Sequence, residues 1–225
     1  MENVKVKMWK LTLSSLLLCL VLVPAMASAE YTEGVEYIAV AQQPVDTGAK
    51  IEVREFFWYG CPHCFHLEPV LREWHKTMSS KAKFVRTPAV FRDTWEAHAR
   101  AYYAYEALGV SDKMDMAMFS AIHEKSRPLD NEKSITAFAV EQGIDEKRFH
   151  DAYNSFGMAA SLKHGIDLQQ RYNITSVPTL VVDGKYITSA GLTHGQEELM
   201  KVLDFLIDKS AKERKRKPVR NNKVK

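Results

Sequence analysis

The sequence predicts an α/β fold in which a small sheet domain is interrupted by an all-helical insertion. Three patterns carry that prediction. Strand-like runs over 51–59 and 82–90 bracket a helix-period run, and residues 94–172 then show only helical stripes. After them, Asp183-Gly184 separates two short β-branched and aromatic runs, a two-residue hairpin signal, ahead of a last amphipathic helix.

The first 29 residues stand apart from that plan. Lys5, Lys7 and Lys10 precede the apolar run Leu11 to Val23, which ends in Pro24-Ala25-Met26-Ala27-Ser28-Ala29. A basic start, a short apolar centre and a small-residue A-x-A end read as a secretory signal peptide over 1–29, cut after Ala29. The apolar run falls short of the roughly 20 residues that span a bilayer. Cys19 follows Leu18, which is the wrong residue for a lipid-attachment site.

In Ile51 to Tyr59, alternate side chains share a face: Ile51, Val53, Glu55, Phe57 and Tyr59 on one, Glu52, Arg54, Phe56 and Trp58 on the other. Glu55 therefore sits among apolar neighbours on a strand expected to be central. Gly60 breaks the strand. Leu67, Val70, Leu71, Trp74 and Met78 then recur at helical spacing, with Pro69 expected to kink the helix. Ala82 to Val90 reads as a second strand.

Five amphipathic helices are expected in the insertion. Their stripes are Trp95, Ala99, Tyr102, Tyr103 and Leu108, closed by Gly109; Met114, Ala117, Met118, Ala121 and Ile122; Ile135, Phe138 and Ala139 after Asp130-Asn131; Phe149, Ala152, Tyr153 and Phe156 after Asp145; and a run from Met158 to Tyr172. Met114, Met116 and Met118 either fill the core or line a groove. Thr179 to Val182 and Lys185 to Thr188 form the hairpin, and Gln196 to Ile207 the closing helix.

The net charge of +3 hides an asymmetry. Lys209 to Lys225 contributes +8 and the leader +2, which leaves about −7 on residues 30–208. Such a body is a poor nucleic-acid binder. The tail reads as a solvated, disordered terminus, with attraction to an anionic membrane face as the sharper alternative.

Loss of Cys19 with the leader leaves Cys61 and Cys64 as the only thiols of the mature chain. A pair so close in sequence closes a tiny loop and constrains little of the unfolded chain, so stabilisation is a poor reason for it. Cys61-Pro62-His63-Cys64 follows directly on a strand and opens a helix. A helix N-terminus presents unpaired N–H groups and a positive dipole end, which favour the first thiolate. That thiolate attacks disulfides and the second thiol completes the exchange, so the motif reads as a redox switch. Zinc binding by Cys61, His63, Cys64 and His66 lacks a second Cys pair. Trp58 and Tyr59 either rim the dithiol or pack the strand.

The element order, the Cys61-Pro62-His63-Cys64 site, the Glu55-Phe56-Phe57 lead-in and Ser176-Val177-Pro178-Thr179 together resemble the DsbA family of bacterial thiol:disulfide oxidoreductases. The resemblance spans the mature chain except its tail. It implies a thioredoxin fold with an inserted all-helical domain: thioredoxin-like parts at 30–92 and 171–209, the helical insertion at 93–170, and a basic disordered tail at 210–225. It further implies that Cys61 is the exposed nucleophile, Cys64 the resolving thiol, His63 a stabiliser of the Cys61 thiolate, and Pro62 a rigid first-turn residue. Val177-Pro178 resembles the family's cis-proline loop, whose backbone pairs with substrate as an added strand; sequence alone favours trans.

Glu55 matches a family carboxylate that passes protons to or from Cys64; its alternative is a buried partner for a base such as Arg86. Glu68 is the weaker candidate, read as structural. The activity implied is a monomeric periplasmic dithiol oxidase, using no metal, nucleotide or flavin. Its partners would be reduced, unfolded exported proteins and a quinone-linked inner-membrane oxidase of the DsbB type. A disulfide isomerase or reductase on the same fold, or a non-redox peptide-binding chaperone module, are the alternatives.

Overall fold

The computed structural model of the chain describes residues 31–216. The expected leader at 1–29, and residues 217–225 of the expected tail, lie outside the described residues. A short strand β1 (Ile38–Ala39) precedes β2 (Ile51–Phe57), helix α1 (Pro62–Thr77) and β3 (Ala82–Pro88). Five helices follow: α2 (Asp93–Leu108), α3 (Ser111–His123), α4 (Glu132–Glu141), α5 (Glu146–Tyr153) and α6 (Phe156–Arg171). The hairpin β4 (Thr179–Val182) and β5 (Tyr186–Thr188) leads to α7 (Gln196–Arg216).

The strands form one sheet in the order β1-β5-β4-β2-β3. β2 runs parallel to β3, with Glu55 opposite Arg86, and antiparallel to β4, with Phe56 opposite Thr179. Every residue of β2 is buried, as expected for a central strand covered on both faces. One face carries Ile51, Val53, Leu180 and Val182 against Leu67, Leu71 and Trp74 of α1 and Leu199, Val202, Leu203 and Leu206 of α7. On the other, Phe56 and Val181 meet Leu168, Tyr172 and Ile174. Arg54 lies on that second face with a local ion pair to Glu52 at 2.7 Å and a hydrogen bond to the Thr87 hydroxyl at 2.7 Å, so its buried charge is compensated.

The inserted helices bury their own core, built on Tyr102, Tyr105, Met114, Met118, Phe119, Ile135, Phe138 and Phe149. Phe57 and Tyr59, at the end of β2, belong to the same cluster. The insertion is thereby welded to the end of the sheet from which α1 departs. Met114 and Met118 fill this core, and Met116 is half-buried.

Two expectations need correction, and one strand was not anticipated. Phe156, placed in the fourth helix's apolar stripe, is 89% exposed. The chain breaks at Asn154, and the Ser155 hydroxyl caps α6 by accepting from the Met158 N–H at 3.0 Å, so Phe156 begins a new helix with a different face inward. The closing helix does not stop near Ile207, and residues 210–216 are not disordered: α7 continues to Arg216. Glu213 accepts from Lys185 Nζ at 2.8 Å and from the Tyr186 hydroxyl at 2.7 Å, while Arg214 pairs with Asp183 and donates to the Ala49 carbonyl at 3.1 Å. These contacts tie the end of the helix onto the β4–β5 turn. Finally, β1 had no counterpart in the sequence pattern; it adds to the sheet edge through Ile38 opposite Ile187.

Candidate active site

The dithiol is positioned by the way β2 ends. Past Phe57 the backbone turns through Trp58-Tyr59-Gly60, and the Cys61 N–H donates to the Trp58 carbonyl at 3.0 Å. Gly60 packs its backbone onto the Trp58 ring so closely that a Cβ there would collide with it. Cys61 itself is the N-cap of α1, with φ −87° and ψ 116°, and its sulfur accepts from the Cys64 N–H at 3.4 Å. Pro62 occupies the first helical position, where its missing N–H costs nothing and its fixed φ suits the helix. Pro69 lies inside α1, which continues through it to Thr77.

Both cysteines are free thiols in this structure. Cys61 retains 7% exposure and Cys64 1%. Cys61 is therefore the more accessible of the two but not an exposed residue, which corrects the expectation. The cover comes from the loop before β4: the Cys61 thiol lies 3.5 Å from the Val177 carbonyl oxygen. The Val177–Pro178 peptide bond is cis. Pro62 and His63 are exposed on the helix's first turn.

The environment drives the two thiols apart. Cys61 is brought down to about 6, first by the Cys64 thiol donating to its sulfur, then by the Cys64 and His63 backbone N–H groups and the charge of His63, against the opposing effect of burial. Cys64 is pushed far up, chiefly by burial, then by its hydrogen bond to Cys61 and by the negative charge of Glu55. One sulfur is thus an anion at neutral pH and the other holds its proton.

Beneath the dithiol lies a cluster of charged side chains. Arg86 Nε donates to Glu55 at 2.9 Å, Arg86 Nη1 to Asp115 at 3.0 Å, and Arg86 Nη2 pairs with Glu68. Arg72 reaches Glu68 at 2.5 Å from the next turn of α1. The Tyr59 hydroxyl donates to Asp115. Glu55 is therefore a buried partner of Arg86, and its carboxyl is pushed up, to about 7, because burial outweighs that pairing. Asp115 rises to about 6 for the same first reason, with Arg86 and Tyr59 opposing.

Asp115 escaped the sequence reading. It interrupts the apolar stripe of α3 between Met114 and Met118, and a carboxylate in a buried stripe is itself a sign that a cation or hydroxyl waits opposite. Tyr59 is buried in the same apolar cluster as Cys61 and Cys64. Trp58 stacks on Trp95 with ring centres 4.0 Å apart. Among the described residues, no group of three or more His, Cys, Asp or Glu is placed to hold a metal ion.

A thioredoxin-type sheet carrying a Cys-x-x-Cys at a helix N-terminus, beside a cis-proline loop, defines a thiol:disulfide oxidoreductase. Residues 52–206 match the family model described as a DSBA-like thioredoxin domain, and the chain belongs to that family. It is 40% identical over 203 residues to the thiol:disulfide interchange protein DsbA of Burkholderia cepacia, covering 88% of this chain and 96% of that one. Identity to the Pseudomonas aeruginosa DsbA is 37% over 186 residues, covering 82% and 88%. The crystal structure of Pseudomonas aeruginosa DsbA superposes with a TM-score of 0.79 at 37% identity, over 82% of this chain and 97% of that one. Reduced DsbA1 from Neisseria meningitidis gives 0.76 at 30% identity, over 84% of this chain and all of its own.

Proposed function

We propose that this protein is a periplasmic dithiol oxidase that donates a Cys61–Cys64 disulfide to reduced, unfolded exported proteins. A substrate thiolate attacks Cys61 Sγ, the Cys61–Cys64 bond breaks, and Cys64 leaves as a thiolate that takes a proton from Glu55. A second substrate thiolate attacks the substrate sulfur of the mixed disulfide and releases Cys61 as a stable thiolate. The substrate loses two electrons and two protons. Glu55 takes a replacement proton from solvent, so the enzyme gains both electrons and one net proton, and the substrate's other proton stays in solvent. The Val177 carbonyl lies 3.5 Å from the attacked sulfur, and in this reading the Val177–Pro178 backbone pairs with a substrate strand.

The observation that carries this reading is the position of Cys61 Sγ at the N-terminus of α1, where it accepts from the Cys64 N–H at 3.4 Å and forms a stable leaving group. A stable reduced form makes the disulfide a strong oxidant. Return to the disulfide requires an external acceptor, and a quinone-linked inner-membrane oxidase of the DsbB type fits that need. The protein acts as a monomer and carries its redox equivalent in the cysteine pair alone, with no separate cofactor.

The test is oxidation of a reduced two-thiol test protein by the preformed disulfide, followed for the native chain and for Cys61→Ala. The native chain is expected to oxidise its substrate stoichiometrically and the variant to do nothing. Retained oxidation by Cys61→Ala would sink the mechanism. A reduction potential near that of thioredoxin, about −270 mV, would instead assign the protein to reduction.

A further inference from the structure

The charges around Arg86 do not balance. Glu55, Glu68 and Asp115 all pair with the Arg86 guanidinium, and only Glu68 has a second cation, Arg72, so three carboxylates share two cations. Asp115 is 4% exposed and Glu55 1%. Three carboxylates on two cations leave an excess negative charge in a poorly solvated place, and such a cluster holds one proton among its members.

The surroundings decide where that proton sits. Asp115 receives the Tyr59 hydroxyl from the turn after β2 as well as Arg86 from β3, and both bonds favour its ionised form. It also borders a groove of about 800 Å³, together with Glu68, Arg72, Arg86 and Glu106, which Glu55 does not line. Tyr102 and Tyr105 of α2 face it as neutral hydroxyls, both held far above neutrality by burial. Glu55 has a single cationic contact, and its charge acts directly on Cys64.

We propose that Asp115 is a positioning residue for the exchange: fixed in its ionised form by the Tyr59 hydroxyl and Arg86, it leaves the cluster's shared proton on Glu55, from which Cys64 takes it. This rests on the proton-donor reading of Glu55. Asp115 never touches the sulfur. It acts by keeping Arg86 from ionising Glu55 and by supplying a neighbouring negative charge that makes Glu55 harder to ionise.

Reduction of the oxidised protein by glutathione, expressed per glutathione thiolate across about pH 5 to 9, tests the idea. In the native chain this rate should fall as pH rises through the Glu55 titration, near pH 7. Asp115→Asn removes a negative charge that competes for Arg86 and opposes ionisation of Glu55, and should move the midpoint down by about one pH unit, slowing the reaction several-fold at about pH 7.5. Tyr59→Phe should move it the same way by less, and carries the test should Asp115→Asn fail to fold. Asp115→Glu should restore the native midpoint. In a Glu55→Gln background the pH dependence should vanish, and Asp115→Asn should add nothing.

An unmoved midpoint in the folded Asp115 and Tyr59 variants overturns the proposal. So does a shift that persists without Glu55, because the effect then runs elsewhere. A native profile with no fall near pH 7 would sink the proton-donor reading of Glu55 first, and this inference with it.

Discussion

Cys61 and Cys64 share one helical turn, yet each acts on the other with opposite sign. The largest influence holding Cys61 down is the Cys64 thiol, ahead of the backbone N–H groups and of His63. Replacing Cys64 by Ala should therefore raise the Cys61 titration above about 6 by more than His63→Ala does, measured from thiolate absorbance against pH. A larger rise from His63→Ala would show that the imidazole, not the partner thiol, is the main stabiliser. The pair was plain in the sequence because its spacing has few other uses in an exported chain. Glu55 was legible as a carboxyl on an apolar face, but its partner Arg86 was only one candidate, since register between strands is not written locally. Asp115 was missed because helical spacing alone absorbed it into a core stripe.

At the scale of elements, the junction between β2 and α1 depends on a residue without a side chain. Gly60→Ala drives a Cβ into the Trp58 ring, which is itself stacked on Trp95. Overpacking of this kind costs about 1–3 kcal/mol. The expected result is a lower denaturant midpoint with an altered tryptophan emission; unchanged stability would mean that the turn relaxes freely. Helix periods and the Asp183-Gly184 turn made most elements readable, and Asp183 and Gly184 do carry φ of 55° and 67°. The end of α7 was not readable, because a run of like charges looks solvated until Asp183, Lys185 and Tyr186 supply partners from a distant hairpin. β1 was not readable either: two residues carry no period.

For the whole molecule, the redox state and the folding equilibrium are linked through Cys61. Its thiol is about 6 when folded and reduced, against about 8.5 in an unfolded chain. A depressed acid stabilises the folded state above its unfolded value, and the benefit disappears as pH falls through about 6. The oxidised form has no such group. Burial raises Cys64, which subtracts stability only above the ordinary thiol range, outside this window. The stability of the reduced relative to the oxidised protein should therefore grow by about 3 kcal/mol between about pH 6 and pH 8.5. Parallel denaturation of both forms checks this, and a pH-independent difference would contradict a depressed Cys61. The clasp of α7 has a different consequence, one of orientation. Asp183 joins the sheet beside Glu52 at the start of β2, and Cys61 lies past its far end, a strand length of about 20 Å away. A handle attached beyond Arg216 leaves from the base of the sheet. A surface, bead or carrier joined there would hold the molecule by its foot, with the reactive sulfur facing outward.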